Sequence, residues 1–85
     1  MRVDKAKKLL EGLGLDAFLV SSPPNVFYLS SFSSTHAYVV ITPNTHHLLT
    51  DGRYYERAKE SLKGWDIRLI EGNAIRYIKG FLKDL

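Results

Sequence analysis

At 85 residues the chain has room for one small domain, and domains of that size bury only about 60 to 65% of the surface that their unfolded chains expose. It contains no cysteine, which excludes a disulfide or a thiolate–zinc staple as support for a thin core. Hydrophobic residues make up 45% and charged residues 25%, a balance that excludes a disordered segment, and the net charge of +3 comes from cations spread along the chain rather than massed as in a nucleic-acid binder.

Residues 3–13 have the pattern of an amphipathic helix. Val3, Ala6, Leu10 and Leu13 recur at spacings of 3 and 4, and Leu9 widens the stripe. Gly14 is placed to end this helix in a left-handed conformation, with Leu15 folding back toward Leu10. Ala17–Val20 is a short continuous apolar run, read as a strand buried on both faces. Ser22 is the expected cap of a second, short helix that has Pro23 at its first position. Val26, Phe27 and Leu29 are expected to point inward from it, with Tyr28 at the edge. Ser30–Thr35 is a hydroxyl-rich loop without periodicity. Residues 37–42 and 46–50 are strands joined by a turn at Pro43-Asn44-Thr45, hence an antiparallel hairpin. Tyr55, Ala58 and Leu62 mark the inner face of a helix, and Gly64 is placed to end it. Asp66–Ile70 is a further strand. Asn73 caps a last helix with Ala74, Ile78, Phe81 and Leu85 on one stripe, and Ile75 and Leu82 beside it. The expected class is α/β, a mixed sheet flanked by helices. The last helix runs to the final residue without a stop signal, from which the chain is expected to be part of a longer protein.

The segment from Leu48 to Ala58, LLTDGRYYERA, is the one whose chemistry is ambiguous. Asp51 stands between a strand and a helix, where its carboxylate can accept from the first helical N–H groups. Capping explains the segment fully; a catalytic role for Asp51 and Arg53 is the alternative. A zinc site needs three or four ligands converging at about 2.0 to 2.1 Å. Of the three imidazoles, His46 and His47 point to opposite faces of a strand and are read as surface or strand-edge side chains. No metal site is expected in this chain. The run Ser30, Ser31, Ser33, Ser34, Thr35 lacks the oriented base that a nucleophilic hydroxyl requires. No apolar run approaches the ~20 residues that cross a bilayer, and a signal peptide is not indicated.

Thr50-Asp51-Gly52-Arg53-Tyr54 closely resembles a segment of the N-terminal domain of Xaa-Pro aminopeptidases and Xaa-Pro dipeptidases (prolidases), the creatinase/prolidase N-terminal domain. Gly14-Leu15-Asp16-Ala17, Ser22-Pro23, Asn25 and Tyr28-Leu29 followed by Phe32 resemble that family's opening pattern. The resemblance covers essentially residues 1–85. It implies a three-layer, ribonuclease H-like domain, truncated here. It implies a cytoplasmic, dimeric parent metallopeptidase acting on proline-containing peptides. Two divalent ions (Mn, Co or Zn) would lie in a separate C-terminal pita-bread catalytic domain, absent from this chain. This domain would be inactive by itself, would support dimerisation and would gate the active site. Tyr28, Phe32 and His36 are then candidates for a substrate entrance or subunit contact. Asp51, Gly52, Arg53 and Tyr54 form the structural cap. The family commonly has Thr-Gly where this chain has Ser30-Ser31, so a non-glycine residue meets the left-handed position. A stand-alone binding or oligomerisation module, a creatinase-like hydrolase and a nucleic-acid binder are the rival functions.

Overall fold

The structure, a computed structural model, describes residues 2–85 and has the element order α1 (Arg2–Leu13), β1 (Phe18–Val20), α2 (Pro23–Ser30), β2 (Ala37–Ile41), β3 (His46–Thr50), α3 (Gly52–Ser61), β4 (Asp66–Leu69) and α4 (Ala74–Lys83). The four strands form one sheet in the order β1-β2-β3-β4. β1 with β2 and β2 with β3 are antiparallel, whereas β3 and β4 are parallel, joined through α3. The sheet is therefore mixed.

Strand alternation divides the core into two layers. Ala37, Val39, Ile41 and Leu48 point to one face and pack with Leu10 of α1, Val26 of α2 and Ala58 of α3. Val40 and Leu49 point to the other and pack with Ile78 of α4, edged by Tyr38, Tyr77, Phe81 and Leu82. Three helices thus cover one face and α4 covers the other, giving the expected helix–sheet–helix layering.

Local signals explain most element ends. Leu15 N–H donates to Leu10 O at 3.0 Å and Gly14 N–H to Glu11 O at 3.2 Å, the paired bonds of a left-handed helix stop with Gly14 at φ 68°. Asn73 Oδ1 accepts from Arg76 N–H at 3.0 Å and caps α4. Ser22 occupies the capping position of α2, but its hydroxyl makes no cap bond. Pro24, the second helical residue, has no N–H, so one of the donors a cap normally serves is missing.

Several burial expectations are corrected. β1 is an edge strand rather than one buried on both faces: Phe18 and Leu19 are each 43% exposed. Leu9 and Leu13 of α1 and Phe27 of α2 are exposed as well. On α4, Tyr77, Ile78, Phe81 and Leu82 face the sheet, whereas Ile75 and, past the helix end at Lys83, Leu85 are exposed. On α3 it is Tyr54, with Ala58 and Leu62, that joins the core layer, rather than Tyr55. His47 is 7% exposed, not a surface histidine.

Candidate functional site

The β3–α3 junction and the loop between α2 and β2 meet at one corner of the sheet. Asp51 has extended backbone angles and its Oδ1 accepts from Arg53 N–H at 3.1 Å, so it is the cap of α3. Its Oδ2 accepts from Arg53 Nε at 3.1 Å and Nη2 at 2.8 Å, a forked charge-assisted contact. Those bonds hold the Asp51 carboxyl below the usual carboxylate value and raise the already high value of Arg53.

Arg53 Nη2 also donates to His36 Nδ1 at 2.8 Å. A guanidinium can only donate, so Nδ1 is an acceptor and the ring proton sits on Nε2. The Thr35 hydroxyl, 2.9 Å from the same nitrogen, is then a donor, and the Tyr54 hydroxyl donates in turn to Thr35 Oγ1 at 3.2 Å. His36 is thereby fixed with Nε2–H turned away from these partners, as an exposed donor.

The loop is tied down along its length. Ser30 belongs to the last turn of α2, where its buried hydroxyl donates to Val26 O at 2.6 Å and accepts from Phe32 N–H at 3.1 Å. Ser31 takes the left-handed conformation at φ 62° and donates its N–H to Phe27 O at 2.7 Å. Arg57 Nη2 donates to Ser33 O at 2.6 Å, and its guanidinium lies 4.9 Å from the Phe32 ring centre and 5.2 Å from that of Tyr54. The Phe32 and Tyr54 rings meet edge to face at 6.5 Å. Finally, buried Thr50 donates to His36 O at 2.6 Å.

The structure therefore joins residues of two distant sequence segments: Phe32 and His36 with Asp51, Arg53 and Tyr54, while Gly52 opens α3 beside them. Tyr28 lies apart from this group. Its ring sits 4.5 Å beneath the Arg2 guanidinium, which also donates to Tyr28 O at 2.8 Å, and it borders a hollow beside β1. Phe32, at 4% exposure, is a core side chain. What the corner presents to solvent is His36, Thr35, Arg53 and Arg57. Arg57 was not singled out from the sequence, and neither was the part that Thr35 and Thr50 take in holding His36. Arg57 stands one helical turn after Arg53 and Tyr54, which is the signal that could have found it.

A second polar group lies at the far end of β3. His47 Nδ1 donates to Asp66 Oδ2 at 2.7 Å, and its Nε2 is hydrogen-bonded to Thr45 Oγ1 at 2.8 Å. Arg68 Nε donates to the same Asp66 oxygen at 2.8 Å. Partial burial raises the Asp66 carboxyl, but the bonds from Arg68 and His47 outweigh it and hold the carboxyl below its ordinary value. With the Phe81 ring 5.0 Å from the imidazole, this group ties the β2–β3 turn, β4 and α4 together. Among the described residues no group of three or more His, Cys, Asp or Glu side chains is placed to hold a metal ion. His36 Nδ1 and both His47 nitrogens are already engaged, and His46 and His47 lie on opposite faces. This donor set does not fit a two-ion centre.

The model of the creatinase/prolidase N-terminal domain matches residues 2–85. A peptidase of Bacillus subtilis, YqhT, described as uncharacterized, is 36% identical over 67 residues, 79% of this chain and 19% of that protein. The solved Xaa-Pro aminopeptidase of Streptococcus thermophilus is 41% identical with a TM-score of 0.78, over 98% of this chain and 62% of that one. The N-terminal domain of the cytoplasmic peptidase PepQ of Mycobacterium tuberculosis is 33% identical with a TM-score of 0.85, over 98% of this chain and 65% of that one. The chain thus spans less than two thirds of each of these relatives.

Proposed function

The chain belongs to the creatinase/prolidase N-terminal domain family, and from that membership we propose that it serves as the non-catalytic N-terminal domain of a metal-dependent Xaa-Pro peptidase. In this reading the parent protein is a cytoplasmic dimer that hydrolyses the bond before proline in peptides. Its two divalent ions are held by a separate catalytic domain, since the donors of this chain do not fit them. The domain contributes subunit contacts and shapes the entrance to the catalytic site.

The observation that carries the gating part is the corner built by residues 30–36 and the start of α3. A loop that narrows an entrance must hold one shape, because a mobile loop would add an ordering cost to each binding event. Here the loop is held by Arg53, Tyr54, Arg57 and Thr50 as well as by bonds within its own sequence. It presents an imidazole N–H and two guanidinium groups, donors suited to peptide carbonyls or to a carboxylate.

Two measurements test this. The pure 85-residue chain, given Mn2+ or Co2+ and an Xaa-Pro peptide, is expected to show no turnover; metal-dependent hydrolysis by it overturns the division of labour. In the longer protein carrying this domain, Arg57→Ala is expected to raise KM for an Xaa-Pro peptide by about tenfold, equivalent to ~1.4 kcal/mol, with bound metal unchanged. An unchanged KM removes the gating role while leaving the peptidase assignment intact. Hydrolysis of creatine rather than of Xaa-Pro peptides by that longer protein would favour the creatinase-like alternative.

A further inference from the structure

His36 is held in two separate ways. Its main chain is anchored on both sides: the N–H donates to Ser34 Oγ at 3.0 Å, and the carbonyl accepts from Thr50 at 2.6 Å. The contacts of its exposed ring converge instead on one atom. Nδ1 lies 2.8 Å from Arg53 Nη2 and 2.9 Å from Thr35 Oγ1.

The two partners of Nδ1 differ in what they tolerate. A hydroxyl both donates and accepts, so Thr35 can reverse and pass its own hydrogen to Tyr54 Oη, 3.2 Å away. A guanidinium has no acceptor, so Arg53 cannot reverse. Its Nε and Nη2 are at the same time held on Asp51 Oδ2 at 3.1 and 2.8 Å. The charged and titratable groups about the ring are Asp51 and Arg53 at the β3–α3 junction, with Tyr54 and Arg57 on α3. Asp51 attracts a charged imidazole, which lowers its carboxyl further. An imidazolium that moves onto Oδ2 competes there with the guanidinium, so this attraction also works against the Arg53–His36 contact.

We propose that Arg53 is a positioning residue that holds His36 as a neutral ring with its N–H outward, and that a single proton releases the hold. The proton comes from solvent and adds to the Nδ1 lone pair. The bond from Arg53 is lost, Thr35 turns from donor to acceptor, and the ring becomes a second cation beside the guanidinium. The corner then exchanges a fixed neutral donor for a mobile charged one, while Ser34 and Thr50 keep the main chain of His36 in place. If the corner borders a catalytic entrance, as proposed above, the proton changes what that entrance offers a peptide. The clamp itself does not depend on that reading.

Nitrogen-15 and carbon-13 NMR of the imidazole rings in the 85-residue chain tests this. Above the titration of His36, followed in the same spectra, the ring is expected to carry its hydrogen on Nε2 and to be rigid, with ring C–H order parameters of about 0.85. Through that titration they are expected to fall below about 0.6, while the amides of Leu48 and Leu49 stay rigid, which separates release from unfolding. A neutral ring with its hydrogen on Nδ1 overturns the proposal, as does a ring that stays rigid through its own titration. Arg53→Met removes the guanidinium and keeps the backbone N–H bonded to Asp51 Oδ1. In that variant the neutral ring is expected to be mobile and to populate both tautomers. A variant ring as rigid and as fully Nε2–H as the wild type would assign the hold to Thr35 and remove the role of Arg53. The variant is read at neutral pH, so it decides the matter even if acid unfolds the chain. All readouts come from one ring, so failure here leaves the peptidase reading untouched.

Discussion

Ser31 is a residue whose discomfort is visible before any coordinates. A non-glycine side chain at a helix end that needs φ 62° carries roughly 1–2 kcal/mol of steric penalty. The entropic cost of glycine is about 0.4–1 kcal/mol, so the penalty wins and Ser31→Gly is expected to raise stability by about 0.5–1 kcal/mol in a urea titration. Asp51 titrates in the opposite sense from a histidine that gains an anionic partner. Its folded value lies below the ordinary 3.8 because Arg53 bonds its charged form. Its contribution is therefore complete above 3.8 and lost as pH falls through the depressed value. Asp51→Asn keeps a capping oxygen and removes the charge. It is expected to flatten the decline in thermal midpoint between neutrality and roughly pH 3. His46 is the third case. Burial against Trp65, with the ring centres 4.7 Å apart, pushes it below its ordinary 6.5, and nearby Lys7 adds to this. The unfolded chain then binds the proton first, so stability falls as pH drops below 6.5. His46→Phe is expected to remove that slope, measured as urea midpoints on either side of 6.5.

At the scale of elements, α4 separates periodicity from packing. Ile75 and Ile78 both lie within the apolar stripes of the sequence, yet Ile78 is buried against Val40 and Leu49 while Ile75 is 66% exposed. Ile78→Ala is expected to cost ~2–5 kcal/mol, and Ile75→Ala to stay within ~0.5 kcal/mol, in the same chemical denaturation series. Periodicity marks an apolar stripe wider than the strip of α4 that touches the sheet, and only the packing shows which of its residues make contact. β1 makes the same point. A continuous apolar run announces burial on both faces, but burial is finished by neighbours, and among the described residues no strand lies on the outer side of Phe18 and Leu19. By contrast, the end of α1 and the starts of α3 and α4 were legible, whereas α3 stops at Ser61 before Gly64 and α4 at Lys83 before the final residue. Gly14, Asp51 and Asn73 act on backbone groups within a few residues of themselves, so sequence contains the whole interaction.

For the whole molecule, charge placement predicts behaviour toward polyanions. The cations are dispersed over α1, α3, β4 and α4, and Arg53 and Arg68 are each paired with an aspartate. The chain is expected to leave a heparin column at low salt with a shallow dependence on salt concentration; a steep one would restore the nucleic-acid reading.

The order of elements, the mixed sheet and the caps at Gly14, Asp51 and Asn73 followed from the sequence by itself, because periodicity and caps are short-range physics. So did the resemblance that led to the family. Only the tertiary structure decided that Asp51–Arg53 is one half of a clamp whose other half is His36. It also put Arg57 on Ser33, buried Phe32 and His47, and left β1 open. Those contacts join residues up to 24 positions apart across β2 and β3, and nothing local in either segment encodes its distant partner.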